Sequence, residues 1–272
     1  MRIDFTKMHG LGNDFVVLDG RTSALPSLDS SAAAALADRH TGIGCDQVIV
    51  LEHSATADLR MRIFNADGGE VESCGNASRA VGLYVGGPVR IETLGGLVAA
   101  TPSDAGISVE MGQPRLDWDR IPLAYPMDTH EMPLAWEELV KPIAVNVGNP
   151  HVIFFVPDLG GIDLARLGPL IEFDPLFTDR INVNVATVRS RTAISLRVWE
   201  RGTGLTQACG TAACATAIGA MRRGLVDRRV AVTQPGGTLQ IEWREDGEIV
   251  MTGPAVESFR GSFDAADYGI AS

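Results

Sequence analysis

The stretch Asn65-Ala-Asp-Gly-Gly-Glu-Val-Glu-Ser-Cys74-Gly75-Asn76-Ala-Ser-Arg79 recurs in altered form as Glu200-Arg201-Gly-Thr-Gly-Leu-Thr-Gln-Ala-Cys209-Gly210-Thr211-Ala-Ala-Cys214. In both copies a cysteine follows a Gly-rich polar loop, stands nine residues after a polar residue (Asn65, Glu200), and precedes glycine. A run of small residues comes next and reads as helix: Ala77, Ala80, Val81, Leu83 and Tyr84 in the first copy, Ala212 to Met221 in the second. Each cysteine is therefore expected at a loop-to-helix junction, where unpaired backbone N–H groups and the positive end of the helix dipole favour an anion. A thiol so placed is expected to have a lowered pKa and to act as a base or nucleophile. One such cysteine could as readily be a buried structural thiol. Two matched copies favour chemistry.

Other landmarks repeat with them. Gly12-Asn13 precedes the apolar run ending at Leu18, and Gly148-Asn149-Pro150-His151 precedes Val152 to Val156. Asp38-Arg39 before Val48 to Val50 is echoed by Asp179-Arg180 before Val183 to Val188. The turn Gly95-Gly96 is echoed by Gly236-Gly237. The offsets are 135 (Cys74 to Cys209), 136 (Asn13 to Asn149) and 141 (Gly95 to Gly236), too long for a solenoid repeat. The pattern predicts an α+β fold of two pseudo-symmetric duplicated domains. Each is a curved, mostly antiparallel sheet wrapped around its cysteine helix, which is apolar nearly all round and so belongs inside. Between the halves, residues 112–142 hold Pro114, Pro122, Pro126, Pro133 and Pro142 with little periodicity. The expected boundaries are residues 1–118 for the lobe carrying Cys74 and 119–263 for the lobe carrying Cys209, with a tail, 264–272, that returns to the first. Face-to-face packing of the halves is expected to bring the two helix N-termini to one cleft.

Residues 3–8 and 15–18 read as strands, and Ser31 to Arg39 as an Ala-rich helix capped near Asp29 or Ser30. Residues 48–51, 59–64, 89–93, 97–101 and 107–111 read as further strands. The 272 residues carry a formal charge of −11, which argues against nucleic acid or an anionic membrane as the partner. No leader pattern or membrane-length apolar run is legible, so a cytoplasmic protein is expected. Four cysteines in a chain of this length do not make a disulfide scaffold, and their spacings suggest no metal site.

Paired acid/base groups from duplicated halves suit one reaction above others. One removes the α-hydrogen of an amino acid from one face, and the second delivers a proton to the opposite face, their roles exchanging with direction. With no cofactor, the carbanion depends on N–H donors gripping the carboxylate, which the backbone at Gly75-Asn76 and Gly210-Thr211 can supply.

The chain also resembles the diaminopimelate epimerase family. The segments that carry the likeness are Lys7-Met-His-Gly-Leu-Gly-Asn13-Asp-Phe15, His40-Thr-Gly-Ile-Gly-Cys-Asp-Gln47, Phe64-Asn-Ala-Asp-Gly68, Cys74-Gly-Asn76, Gly148-Asn-Pro-His151, Arg180-Ile-Asn182, Glu200-Arg201-Gly202 and Gln207-Ala-Cys-Gly-Thr211. They run over most of the chain in the family's order. The resemblance implies cofactor-independent epimerisation of LL- to meso-diaminopimelate, with Cys74 and Cys209 as the acid/base pair. It implies a substrate site of Asn13, Gln47, Asn65, Gly75, Asn76, Asn149, Asn182, Glu200, Arg201, Gly210 and Thr211, with His151 and Glu200 tuning the thiols. It further implies a homodimer, no metal and no cofactor. Arg201 can offer a planar bidentate cation to the substrate's distal carboxylate, and Glu200 an anion to its distal ammonium. Departures fall on small residues: in Ala77-Ser78-Arg79-Ala80 many members have Gly and then a further Cys at the small positions, and at Ala212-Ala213 Gly often appears, with Ala for Gly tolerated in a first helical turn.

Other readings stay open at this stage. A proline or hydroxyproline racemase, a thiol–disulfide oxidoreductase and a non-catalytic ligand-binding protein are the rivals. Cys45 and Cys214 read as structural, and His9, His40, His53 and His130 as structural or surface residues.

Overall fold

The computed structural model describes residues 1–22, 25–72 and 74–270. The chain divides into two compact units, Met1–Val109 together with the stretch from Gly253 onward, and Glu110–Thr252. The first division lies ahead of the expected 118/119, because the proline-rich segment packs onto the second unit. There Arg115 and Asn146 exchange backbone hydrogen bonds of 2.8 and 3.0 Å, and Ile121, Leu123 and Met132 are buried in that unit's core.

The first unit runs β1 (Arg2–Gly10), β2 (Asn13–Asp19), α1 (Ser30–Ala37), β3 (Gln47–Glu52), β4 (Leu59–Asn65), α2 (Gly75–Val85), β5 (Val89–Thr93), β6 (Gly96–Ser103) and β7 (Gly106–Glu110). The second runs β8 (Ala135–Trp136), β9 (Leu139–Val140), β10 (Ile143–Asn146), β11 (Pro150–Phe155), α3 (Leu164–Glu172), β12 (Asn182–Ser190), β13 (Ala193–Glu200), β14 (Gly204–Leu205), α4 (Gly210–Arg222), β15 (Arg229–Gln234), β16 (Gly237–Trp243) and β17 (Ile249–Gly253). A last strand, β18 (Val256–Asp264), returns to the first unit and pairs along β1 from Arg2 opposite Asp264 to His9 opposite Val256. The return thus begins before the expected tail. After it, Tyr268 and Ile270 pack against the cluster that holds α1, while residues 271–272 lie outside the described residues.

Set side by side, β1-β2-α1-β3-β4-α2-β5-β6-β7 and β10-β11-α3-β12-β13-α4-β15-β16-β17 are the same arrangement. In each, the strands flanking a helix pair in parallel (β2 with β3, β4 with β5, β11 with β12, β13 with β15) and the remaining neighbours are antiparallel. α2 touches β1 and β18 as well as β5 and β6, and α4 touches strands from β10 to β16, so each sheet curls round its cysteine helix. The small residues of these helices permit that closeness. A Cβ on Gly82 of α2 would come 2.8 Å from Ile107 Cγ2 and 3.0 Å from Ala100 Cβ.

The other two helices cover the outer faces. Period-2 alternation sends Val16, Leu18, Val48 and Val50 outward to α1, and Val152, Phe154, Val183 and Val185 outward to α3. α1 starts as expected, with Asp29 accepting from the Ala32 N–H at 2.8 Å. No element is read from the sequence at 164–172. Yet α3 forms with Pro169 inside it, and Gly168 lies so close to Trp199 that a Cβ would come 2.5 Å from the indole. Among the described residues no helix is long and apolar enough to cross a membrane.

Candidate active site

In the first unit the β1–β2 hairpin turns through Leu11 and Gly12, both with positive φ (57° and 90°), with Gly10 opposite Asn13. This is the two-residue geometry that matches strand twist, and it places Asn13 at the head of β2. Its amide orientation is settled by a carboxylate. Asp46 Oδ2 accepts from Asn13 Nδ2 at 2.9 Å, so Asn13 Oδ1 faces α2, where Asn76 Nδ2 donates to it at 3.1 Å and Cys74 Sγ lies 3.9 Å away. Cys74 is the residue immediately before α2, in extended conformation. On the neighbouring strands Gln47 Nε2 donates to Asn65 Oδ1 at 2.9 Å. The structure thus places Asn13, Asn76 and Cys74 together, and Gln47 with Asn65.

Below this group lies an ion network. Asp14 meets Lys7 and Arg39, each at 2.7 Å, and Arg39 reaches Asp46 at 2.7 Å. Lys7 also donates to the Gly44 carbonyl. Burial works against the Asp14 carboxylate, but hydrogen bonds and charge from Arg39 and Lys7 outweigh it and hold its pKa at about 2. Cys45, 1% exposed in the α1 core, is pushed up to about 11 by burial, which suits a structural thiol. Cys214 is buried on α4.

In the second unit Cys209 occupies the matching place before α4 and is 6% exposed. Its own N–H donates to Gln234 Oε1 at 2.8 Å, and its Sγ lies 3.4 Å from Thr211 Oγ1. The lowered pKa expected for a thiol at a helix N-terminus is not found at Cys209. Burial and the Glu200 charge push Cys209 well above the ordinary thiol value, against the opposing help of Thr211. Glu200 is itself raised, first by burial, although hydrogen bonds from Thr206 and Cys209 favour its carboxylate. The buried thiol and the half-buried carboxylate thus act on each other, each favouring the arrangement in which the proton stays on sulfur.

Behind it, inward-facing β11 and β12 carry His151 and Asn184, both fully buried. Asn184 Nδ2 donates to the Ala212 carbonyl (3.1 Å) and to Thr216 Oγ1 (3.0 Å), which turns its Oδ1 towards His151 Nδ1 at 3.3 Å. Asn149 lies 2.9 Å from His151 Nε2. Asn182 Nδ2 donates to the Pro150 carbonyl at 2.8 Å, and its Oδ1 accepts from the Arg201 N–H at 3.0 Å. The Arg201 guanidinium donates to the Asp179 carbonyl at 2.8 Å. Asp46, Asn184 and Gln234 are absent from the expectations. Their only signal is a polar residue set beside an apolar strand run, which a surface-facing strand position shows equally.

Burial drives the His151 pKa down from its ordinary 6.5 to about 3, against the Asn184 hydrogen bond and with help from the Arg201 charge. A depressed folded-state pKa means that, below about 6.5, the unfolded chain takes up a proton that the folded chain refuses. Stability attributable to His151 is therefore lost as pH falls from about 6.5 towards 3, at about 1.4 kcal/mol per pH unit. Denaturant unfolding of the His151→Gln variant should lose about 2 kcal/mol less than wild type between pH 6.5 and 4.5. Equal losses in both proteins would remove His151 as the cause.

The diaminopimelate epimerase family is matched over residues 5–116 and 143–257. A diaminopimelate epimerase of Erythrobacter litoralis is 64% identical over 98% of this chain and 100% of its own length. One from Rhizorhabdus wittichii is 61% identical over 99% and 98% respectively. Among solved structures, a hydroxyproline epimerase from Agrobacterium vitis, determined with trans-4-hydroxy-L-proline bound, has the same fold, with a TM-score of 0.66 at 14% identity over 98% of this chain and 95% of that one. The duplicated α+β architecture, the cysteine before each central helix and full-length relatives at this identity lead to one conclusion: the chain belongs to the diaminopimelate epimerase family.

Proposed function

We propose that this chain is an isomerase that interconverts LL- and meso-2,6-diaminopimelate by two-base proton transfer between Cys74, Cys209 and the substrate α-carbon. The observation that carries the reading is the matched placement of the two thiols, each immediately before the first residue of its unit's central helix. The N–H groups of Gly75-Asn76 and Gly210-Thr211 then supply donors for the α-carboxylate as it gains charge.

In one direction a Cys74 thiolate takes the α-hydrogen and becomes a thiol. The electron pair of the broken C–H bond delocalises into the carboxylate, and the Cys209 thiol gives its proton to the opposite face, becoming a thiolate. The reverse direction exchanges the roles. The half-buried Glu200 beside Cys209 supports this order, because it favours the protonated thiol and can take that proton when Cys209 must act as base. His151 tunes the site as a neutral imidazole between Asn149 and Asn184. Arg201 takes the far carboxylate, and Asn13, Gln47, Asn65, Asn149 and Asn182 complete the polar lining.

The reaction needs no cofactor and no metal ion. We further propose a homodimer working in the cytoplasm, as a supplier of lysine and cell-wall precursors. β18 stands at the end of its sheet with Val256 and Phe259 exposed, an edge of the kind proteins usually cover. A reducing compartment suits a pair of working thiols.

The test is turnover of LL-diaminopimelate in deuterium oxide, followed by proton NMR. Solvent deuterium should stand at the inverted α-carbon of the meso product. Product that keeps its original α-hydrogen would refute the two-base route. Activity on proline or hydroxyproline with none on diaminopimelate would instead refute the substrate.

A further inference from the structure

Helix α3 ends on Glu172, a carboxylate only 2% exposed. Its position is doubly unfavourable, since burial strips its water and the C-terminal end of a helix carries the negative pole. Two N–H donors offset that cost. The Trp199 indole donates to Oε2 at 2.7 Å, and the Gly202 backbone donates to Oε1 at 2.9 Å, with an Arg180 guanidinium nitrogen 3.9 Å away.

Both donors flank Glu200 and Arg201. These residues sit in a tight turn closed by the Thr203 N–H on the Glu200 carbonyl at 3.0 Å, with Gly202 at φ +76°. In such a turn the N–H groups of the two central residues point away from the turn and are ordinarily left to water. Here a buried side chain takes each one: Asn182 Oδ1 the Arg201 N–H at 3.0 Å, and Glu172 Oε1 the Gly202 N–H. Trp199, wedged between Gly168 and Gly204, ends on the same carboxylate. One buried acceptor thus holds the Trp199 side chain before Arg201 and the Gly202 backbone after it.

We propose that Glu172 is a positioning residue that holds the Glu200–Thr203 turn through the Gly202 N–H and so sets where Arg201 meets the far carboxylate of the substrate. The proposal rests on the reading of Arg201 given above. It makes the α3 carboxylate a determinant of affinity for a two-ended amino acid, although the carboxylate touches no ligand.

Glu172→Gln is the informative variant. A glutamine has one acceptor oxygen, so its Nε2 must face either the Trp199 or the Gly202 donor. Three measurements on the intact protein decide the matter: kcat and KM for diaminopimelate, the same pair in an Arg201→Ala background, and amide hydrogen exchange at Gly202. The expected result is a rise in KM of about tenfold with kcat within about twofold. In the Arg201→Ala background Glu172→Gln should cost little further kcat/KM, and Gly202, slow to exchange in wild type for so exposed a turn, should exchange about tenfold faster in the variant. An unchanged KM, or the full loss of kcat/KM again in the Arg201→Ala background, would overturn the proposal and leave Glu172 a general stabilising residue. Fast exchange of Gly202 in wild type would overturn it as well. If Arg201→Ala alone leaves KM unchanged, the role given to Arg201 is what fails, and Gly202 exchange still reports whether Glu172 grips the turn.

Discussion

Cys74→Ala and Cys209→Ala should each reduce epimerisation by about a thousandfold or more, while leaving the protein folded. The size follows from the chemistry. A positioned general acid or base contributes about 10²–10⁴, and a route that needs one group on each face has no detour when either is removed. The unchanged fold follows from the helix ends. Alanine keeps the extended backbone that each cysteine adopts before its helix, and Gln234 holds the Cys209 backbone N–H whatever the side chain. Melting temperatures within a few degrees of wild type, with turnover lost in both variants, are the expected outcome. Substantial turnover in either variant would defeat the paired scheme. Cys→Ser should fall between, keeping some proton exchange because a hydroxyl can donate but is a poor base at neutral pH.

The second large effect belongs to Glu200→Gln. The carboxylate disfavours the Cys209 thiolate and, in the proposed scheme, takes its proton, so the variant changes two properties in opposite senses. Without the negative neighbour the Cys209 pKa should fall, although burial, the larger cause, still holds it above the ordinary thiol range. Its rate of alkylation should therefore rise and reach its plateau at lower pH than in wild type. Catalysis should nevertheless drop by about 10²–10³, because the thiol has lost its proton relay. Faster alkylation together with slower turnover separates the tuning role from a mere packing role. Alkylation at the wild-type rate and pH would show that the Glu200 charge does not reach the thiol.

Much of this was legible from residue order, and the reasons are specific. A run of small residues after a Cys-Gly loop reads as a helix that strands can approach closely, so α2 and α4 were readable along with the strands that enclose them. Helix α3 was hidden, because Gly168-Pro169 resembles a break. Gly168 is there to admit the Trp199 ring, a contact made by a strand far along the chain. The site divides in the same way. The cysteines and the N–H groups beside them follow from local pattern. Asn13, Gln47, Asn65, Asn149, Asn182, Glu200 and Arg201 came from family likeness, since an asparagine near a turn has several uses. Asp46, Asn184, Gln234 and Glu172 were invisible because each acts through hydrogen bonds to residues distant in sequence. The direction of the Cys209 shift was also beyond reach. It depends on how deeply the thiol and Glu200 are buried together, and a helix dipole is the weaker influence there.

The strand that returns from the second unit to lie along β1 bears on how the molecule is made. Residues 110–252 form an unbroken segment and can finish folding as soon as they leave the ribosome. The earlier-made unit must wait, its β1 flank uncovered, until Val256–Asp264 arrives. Nascent chains stalled before residue 256 should therefore be protease-sensitive in the half synthesised first, reversing the usual N-to-C order of maturation, and that flank is where a chaperone would have to act.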